Sequence, residues 1–310
     1  MRLAMDNCRV PFCECPAMTT LTAASRIRLI QTSDLLLLLV ALVWGTSYGV
    51  AKQALDYYPV LGFLAVRFCI TFLLLAPQLR GAGHRALRPG LASGLVMLAI
   101  FLCETYGVLH TSASNAAFLI SLCLVFTPFV EWLMLGQRPD TRLLPAVAVA
   151  LFGTWLLSGG VDLDFGLGDA LMLAAAVVRA FGVCLIRRLT ADSQVPPLAF
   201  MAMQTGVAGF GCLLIGLALP GGLPPLPTAP AFWLGSLYLV LFATLFAFYV
   251  QNWALARSSP TRVSLLMGSE PLFGALFAVL WLNETLSLQA WIGGLLIVVA
   301  TLWTSLSRRS

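Results

Sequence analysis

Ten apolar segments, each near the length of a helix that crosses a bilayer, fill almost all of this chain. They lie at approximately 34–52, 59–79, 90–110, 113–135, 142–158, 167–187, 196–218, 231–255, 261–282 and 287–306, each bounded by charge, glycine or proline. A hydrocarbon core about 30 Å thick is spanned by about 20 helical residues. Ten crossings therefore use up the 310 residues and leave no length for a folded extramembrane domain. Hydrophobic residues make up 60% of the chain and charged residues 10%, too little polar surface to cover a water-soluble globule of this size. The expected fold is all-α, an integral membrane protein of ten transmembrane helices. The fifth segment is the shortest, and Pro145 and Gly153 within it are compatible with a helix in lipid.

The same features set aside several classes of function. A soluble catalytic core has no room. No glycine-rich phosphate loop with a lysine follows any segment, which excludes ATP-driven work by this chain alone. The net charge of +5 is no nucleic-acid patch, because the basic residues are spread over loops. Cys69, Cys103, Cys123, Cys184 and Cys212 lie inside apolar runs as small hydrophobes. Cys8, Cys13 and Cys15 lack the second cysteine or histidine pair of a zinc site. Neither a metal nor another cofactor is expected, and no residue is expected to be catalytic.

Charge sets the orientation. With the N-terminus in the cytoplasm, fifteen of the 18 basic residues fall in the tails and the loops on that side, among them Arg80, Arg85, Arg88, Arg138, Arg142, Arg187, Arg188, Arg257 and Arg262. The opposite loops hold Lys52 beside Asp56, Asp162, Asp164 and Glu284. The excess of Lys and Arg in cytoplasmic loops thus predicts a multi-pass protein of the cell (inner or plasma) membrane with both termini cytoplasmic. Residues 1–33 read as a disordered cytoplasmic tail, and Met18 offers an alternative start that leaves the status of residues 1–17 open.

The two halves of the chain align. Asp34 matches Asp169, 135 positions on, and the Pro59–Ala65 segment matches Pro196–Ala202, 137 positions on. Ser112, Phe126 and Leu135 match Ser259, Phe273 and Leu282, 147 positions on. Each half holds five segments. Five is odd, so the second half is inverted relative to the first, an arrangement that in secondary transporters puts the substrate site near the midplane between the repeats. The expected units are 34–158 and 166–306.

Ala41-Leu42-Val43-Trp44-Gly45, Ala65-Val66-Arg67-Phe68, Ser114-Asn115-Ala116-Ala117-Phe118-Leu119, Glu270-Pro271, Leu282-Asn283-Glu284-Thr285-Leu286 and Gly293-Gly294 follow one another over ten segments. In this order they resemble the EamA branch of the drug/metabolite transporter superfamily, over about residues 34–306. Two positions depart from the family pattern. Gln137 follows Leu135-Gly136 where a glutamate is usual, and Leu124 stands where a proline would align with Pro271. The resemblance implies a transporter that moves small metabolites, often outward.

Polar groups inside the segments are the candidate working parts, since a charge at helix centre costs several kcal/mol unless partnered or hydrated. At 1.5 Å rise per residue, Arg67 and Glu104 lie about 12 and 9 Å below the outer face, and Arg179 and Glu270 each about 12 Å from the inner face. Gln204 and Gln251 are the repeat equivalents of Arg67 and Glu104. Arg67, Glu104, Arg179, Gln204 and Glu270 are therefore candidates for gating or coupling, with Arg67–Glu104 and Arg179–Glu270 as pairs. The alternative for the outer pair is a structural ion pair. Glu270 draws attention because Pro271 beside it cannot donate a backbone bond. Glu131 reads as a structural group that snorkels to the interface. Trp44, Ser47, Tyr48, Asn115, Tyr249, Gln251 and Asn252 are candidates to line a substrate cavity. Ordinary packing is the alternative for each.

The reading is a secondary transporter, an exporter of a small organic metabolite, working by alternating access between inverted repeats. Coupling to protons or to exchange is left open, as is the choice of monomer or homodimer. The expected partners are a small-molecule substrate and the lipid bilayer. The alternatives are an uncoupled channel-like facilitator and, further off, an intramembrane enzyme.

Overall fold

In lipid every backbone N–H and C=O must be satisfied within the protein, which leaves an apolar segment little choice but to be a helix. The computed structural model describes residues 32–306 except 112, 139, 160–165, 192–194 and 283–285, so the expected tail lies outside the described residues. The first half comprises α1 (Thr32–Leu55), α2 (Val60–Leu75), α3 (Leu79–His110), α4 (Ala113–Ser121), α5 (Cys123–Leu135) and α6 (Leu144–Leu157). The second comprises α7 (Leu167–Thr190), α8 (Pro197–Ala218), α9 (Pro230–Tyr238), α10 (Ala247–Leu255), α11 (Pro260–Met267), α12 (Glu270–Leu282) and α13 (Leu288–Leu306). A π-helical stretch, Leu239–Phe246, joins α9 to α10.

These elements are the ten expected crossings. Eight candidate spans meet the length and apolarity needed to cross a membrane. The fifth crossing, α6, has 14 residues, and the ninth is divided between α11 and α12. Buried threonines keep the helices apolar by returning their hydroxyls to the carbonyl four residues back, as Thr71 does to Arg67 and Thr154 to Ala150. Large apolar side chains form the outer surface, with Leu133 86% and Leu288 77% exposed. A surface of this kind is stable against hydrocarbon and unstable against water. The chain is an integral, multi-pass membrane protein.

The bundle has a tail end, where α1 starts and α13 finishes, and a far end. α3 packs on α8 along Gly90, Gly94 and Gly211, which meet Met203, Val207 and Leu98. α6 packs on α13 through Gly153 and Gly293. Gly45 brings α1 onto α12 so closely that a Cβ there would lie 2.6 Å from the Glu270 carbonyl oxygen.

The fourth crossing of each half is broken. The ninth parts at Gly268–Ser269, one step before Glu270-Pro271. The fourth parts at Leu122, although no proline stands beside that break. Leu122 and Ser269 are 147 positions apart, the repeat offset. The two breaks meet, because a Cβ on Gly268 would touch the Leu124 side chain, and Thr127 Oγ1 lies 3.5 Å from Ser264 Oγ.

Candidate functional site

Two cavities lie inside the bundle, on either side of one ion pair. The first, of about 110 Å³, is lined by Trp44, Ser47, Lys52, Arg67, Glu104, Arg179, Gln204, Gln251 and Glu270, with Phe63, Phe101 and Phe248 among its apolar walls. The second, of about 390 Å³, is lined mostly by small and apolar residues from α1, α3, α4, α5, α6, α7, α11 and α12. Lys52, Val108, Arg179 and Glu270 belong to both linings. Lys52, near the far end of α1, lines both cavities and Ser158, beyond α6, lines the second, while Ile186, Gln204 and Gln251 line the first toward the tail end.

The shared wall is the expected inner pair. Arg179 Nη2 donates to Glu270 Oε2 at 3.2 Å, and the Arg179 guanidinium lies 4.9 Å from the centroid of the Trp44 ring. The cation is thus held between a carboxylate and an aromatic face, two attractive partners in a low-dielectric setting. Glu270 starts α12 at the helix break, so its position follows from the broken backbone.

The outer pair is arranged differently from the expectation. Arg67 Nε donates to Thr244 Oγ1 at 2.8 Å and Nη2 to the Ala243 carbonyl at 3.3 Å, with Phe68 and Phe101 rings 5.4 and 5.1 Å from the guanidinium. Both acceptors lie in the π-helical stretch, where the Thr244 hydroxyl itself donates to the Leu239 carbonyl five residues back. The Ala247 N–H bonds to Phe242 five residues back, and the Ala243 carbonyl receives Trp44 Nε1 at 2.9 Å as well as Arg67. Glu104 faces the cavity. Among the described residues neither Glu104 nor Lys52 takes part in a hydrogen bond or ion pair.

Of the candidates named from sequence, Trp44, Ser47, Arg67, Glu104, Arg179, Gln204, Gln251 and Glu270 share the first cavity. The gating or coupling candidates near the outer face and those near the inner face thus line one space. Asn252 is set behind it, 3% exposed, donating to Gln204 Oε1 at 2.8 Å. Tyr249 is 40% exposed on the outside of α10, because Phe248, one step of about 100° away, faces inward. Tyr48 and Asn115 fall on α1 and α4, and their side chains lie outside the described residues. Glu131 does not snorkel. It is 1% exposed and accepts from both the backbone N–H (3.0 Å) and the hydroxyl of Thr261, because the first turn of α11 has free N–H groups that a carboxylate satisfies.

Sequence reasoning missed a cluster at the tail end. Arg262 Nη2 donates to Asp34 Oδ2 at 2.9 Å, and its two Nη atoms reach the Thr304 and Ser305 carbonyls of α13 at 2.7 and 3.3 Å. Arg187 donates to the Leu255 and Ala256 carbonyls at the end of α10. Arg262 thus ties α11 to α1 and α13, and Arg187 ties α7 to α10. The signal was present, since Asp34 and Asp169 match across the repeat. Asp169 accepts from Thr111 at the far end, the counterpart link in the other half.

Comparison with known proteins follows the same division. The family model for the EamA-like transporter family matches residues 31–159 and again 166–306. An uncharacterized transporter of Archaeoglobus fulgidus is 29% identical over 88% of this chain and 86% of its own length. The uncharacterized inner membrane transporter YedA of Escherichia coli K12 is 26% identical over 86% and 88%. A protein of Streptantibioticus cattleyicolor named "Probable terminal-alkyne amino-acid exporter" is 26% identical over 84% and 89%. One crystal structure superposes with a TM-score of 0.73 at 18% identity, covering 87% of this chain and 95% of that one, which supports the fold. Twice-matched repeats, ten apolar crossings and transporter relatives along the whole bundle leave one assignment: the chain belongs to the EamA-like transporter family and is a membrane transporter.

Proposed function

We propose that the chain is a secondary exporter of a small zwitterionic metabolite of the amino-acid kind, located in the cell membrane with both termini cytoplasmic. The observation that carries this reading is the pair of charges, Lys52 and Glu104, that face the first cavity with no hydrogen bond or ion pair among the described residues. Lys52 is a cation for a carboxylate, and Glu104 is an anion for an ammonium group. A ligand bearing both charges meets the half-buried Glu104 inside the cavity and the exposed Lys52 at its mouth, and each contact is a charge-assisted hydrogen bond. The name of the Streptantibioticus relative points in the same direction.

The Arg262–Asp34 cluster ties α1, α11 and α13 at the tail end, and Lys52, which lines both cavities, lies near the far end. With the tail end cytoplasmic, this arrangement suits the outward-facing state of an alternating-access cycle, the tail-end cluster being the contact that opens in the other state. Glu270, paired with Arg179 between the two cavities, is the group placed to exchange a proton or to be displaced by substrate during the cycle.

Counterflow in proteoliposomes tests the reading. Vesicles loaded with a mixture of unlabelled amino acids should accumulate a radiolabelled member of that mixture. Glu104→Gln and Lys52→Gln should each reduce uptake at least tenfold in folded protein. Uptake of no amino acid, or uptake untouched by both substitutions, refutes it.

A further inference from the structure

The second cavity is the larger of the two, yet the charges that suit a zwitterion line the first. A space of about 150 Å³ walled by Leu, Ile and Phe takes up a benzene ring, and the second cavity has more than twice that, about 390 Å³. Its walls are Gly45, Gly49, Ala116, Ile120, Leu124, Leu157, Met172, Met267, Ala275 and Phe277 among others, and its charged groups are those of the shared wall, Lys52, Arg179 and Glu270. The Ser121 hydroxyl, which also lines it, is already spent on the Phe118 carbonyl at 2.6 Å. The first cavity, about 110 Å³, is below the size that admits benzene and carries charges or amides from α1, α2, α3, α7, α8, α10 and α12.

The glycines explain the room. Gly49 has nothing within 4 Å of where its Cβ would be, so the turn of α1 after Gly45 opens onto the cavity. Gly45 itself pins α1 to α12 beneath that opening. The space is therefore bounded by a close α1–α12 contact and by the broken crossings, and it opens on the side of the exposed Gly49 and Lys52.

We infer that the two cavities are the head and tail subsites of one ligand. The charged end sits in the first cavity between Lys52 and Glu104. An extended apolar side chain passes Lys52 and Val108, which both cavities share, into the second. The ligand class is a 2-amino acid with a long alkyl or large aromatic side chain, in preference to short or polar amino acids. The inference rests on the zwitterion reading above. It adds the side-chain preference, which comes from the second cavity alone.

The test uses the full-length protein in nanodiscs and the straight-chain series from alanine through 2-aminobutanoate, norvaline and norleucine to 2-aminooctanoate, with affinity read by competition against one radiolabelled member. Burying a methylene is worth about fourfold in affinity, so affinity should climb about fourfold per carbon along the series. Ala275→Phe and Ser121→Leu each place bulk in the second cavity away from the charges. Each should cut the ratio of 2-aminooctanoate to alanine affinity at least tenfold. A series flat from alanine to 2-aminooctanoate overturns the tail subsite and leaves the zwitterion reading standing. A bilayer acyl chain holding the cavity would give that same flat series. Binding of no member overturns both. A rising series that survives both filling variants places the tail elsewhere and also overturns the assignment. If one variant fails to fold, the series on the parental protein and the other variant still decide.

Discussion

Replacing Asp34 with asparagine tests the tail-end closure most directly. Asp34 is 1% exposed and holds Arg262 at 2.9 Å. The asparagine side chain has nearly the same shape and can still accept one hydrogen bond, but it gives up the charge. Arg262 retains the carbonyls of Thr304 and Ser305, so the change weakens the cluster without stranding the guanidinium. A hydrogen bond between charged groups contributes about 1.5–3 kcal/mol. If that energy is present only while the tail end is closed, its loss raises the open population about 10- to 150-fold.

The reporter is Val263→Cys, on α11 one residue beyond Arg262. Val263 is 0% exposed in this state, so a thiol there reacts with a small maleimide only when the tail end opens. In a background cleared of other reactive cysteines, its labelling rate is proportional to the open population and should rise by about the same 10- to 150-fold in Asp34→Asn. Arg262→Gln, which also gives up the Thr304 and Ser305 carbonyls, should raise the rate at least as much, and the double variant should add little to Arg262→Gln, because the Asp34 contribution is made through Arg262. A labelling rate within about threefold of the parent in Asp34→Asn, or full additivity in the double variant, would refute the idea that this pair holds the tail end shut.

Three further outcomes are expected. Glu270→Gln should insert and fold but abolish or uncouple transport, with a changed pH profile of initial rate in proteoliposomes; parental rate and profile would reduce the Arg179–Glu270 pair to packing. Gly45→Ala puts a Cβ 2.6 Å from the Glu270 carbonyl and 2.8 Å from the Gly274 nitrogen, and should cost about 1–3 kcal/mol of stability, seen as a lower Tm, while Gly49→Ala, with nothing within 4 Å, should not. Reporter fusions after residues 84 and 222 should give cytoplasmic and external signals respectively, and two signals from one side would end the proposed topology.

The crossings were legible because the bilayer dictates helix length and forbids unpaired backbone, so apolar run lengths translate directly into elements. The break at Gly268–Ser269 was legible through Pro271. The break at Leu122 was not, because no proline or glycine marks it and it arises where the two repeats meet. Eight candidate residues converge on one cavity because polar groups inside lipid have few other places to go. Tyr249 and Asn252 were misplaced because the face that α10 turns inward is set by its neighbours, and a short stretch of sequence does not contain them. Arg262 was read as a marker of loop orientation; its partner Asp34 is 228 positions away, a pairing that no local pattern encodes.

The π-helical stretch Leu239–Phe246 has a consequence for chain length. Deleting one residue inside an α-helix rotates everything beyond it by about 100° and would swing Gln251 out of the cavity. Within Leu239–Phe246 the ladder already runs one residue wide, as the Ala247-to-Phe242 bond shows. A single deletion there lets the ladder tighten to four and leaves α10 in phase. The tightened backbone then reclaims the carbonyl that now accepts from Trp44 and Arg67. The eighth crossing is thus a helix that can lose a residue from its interior and keep its faces, at the cost of the anchor that orients an arginine and a tryptophan toward the substrate space.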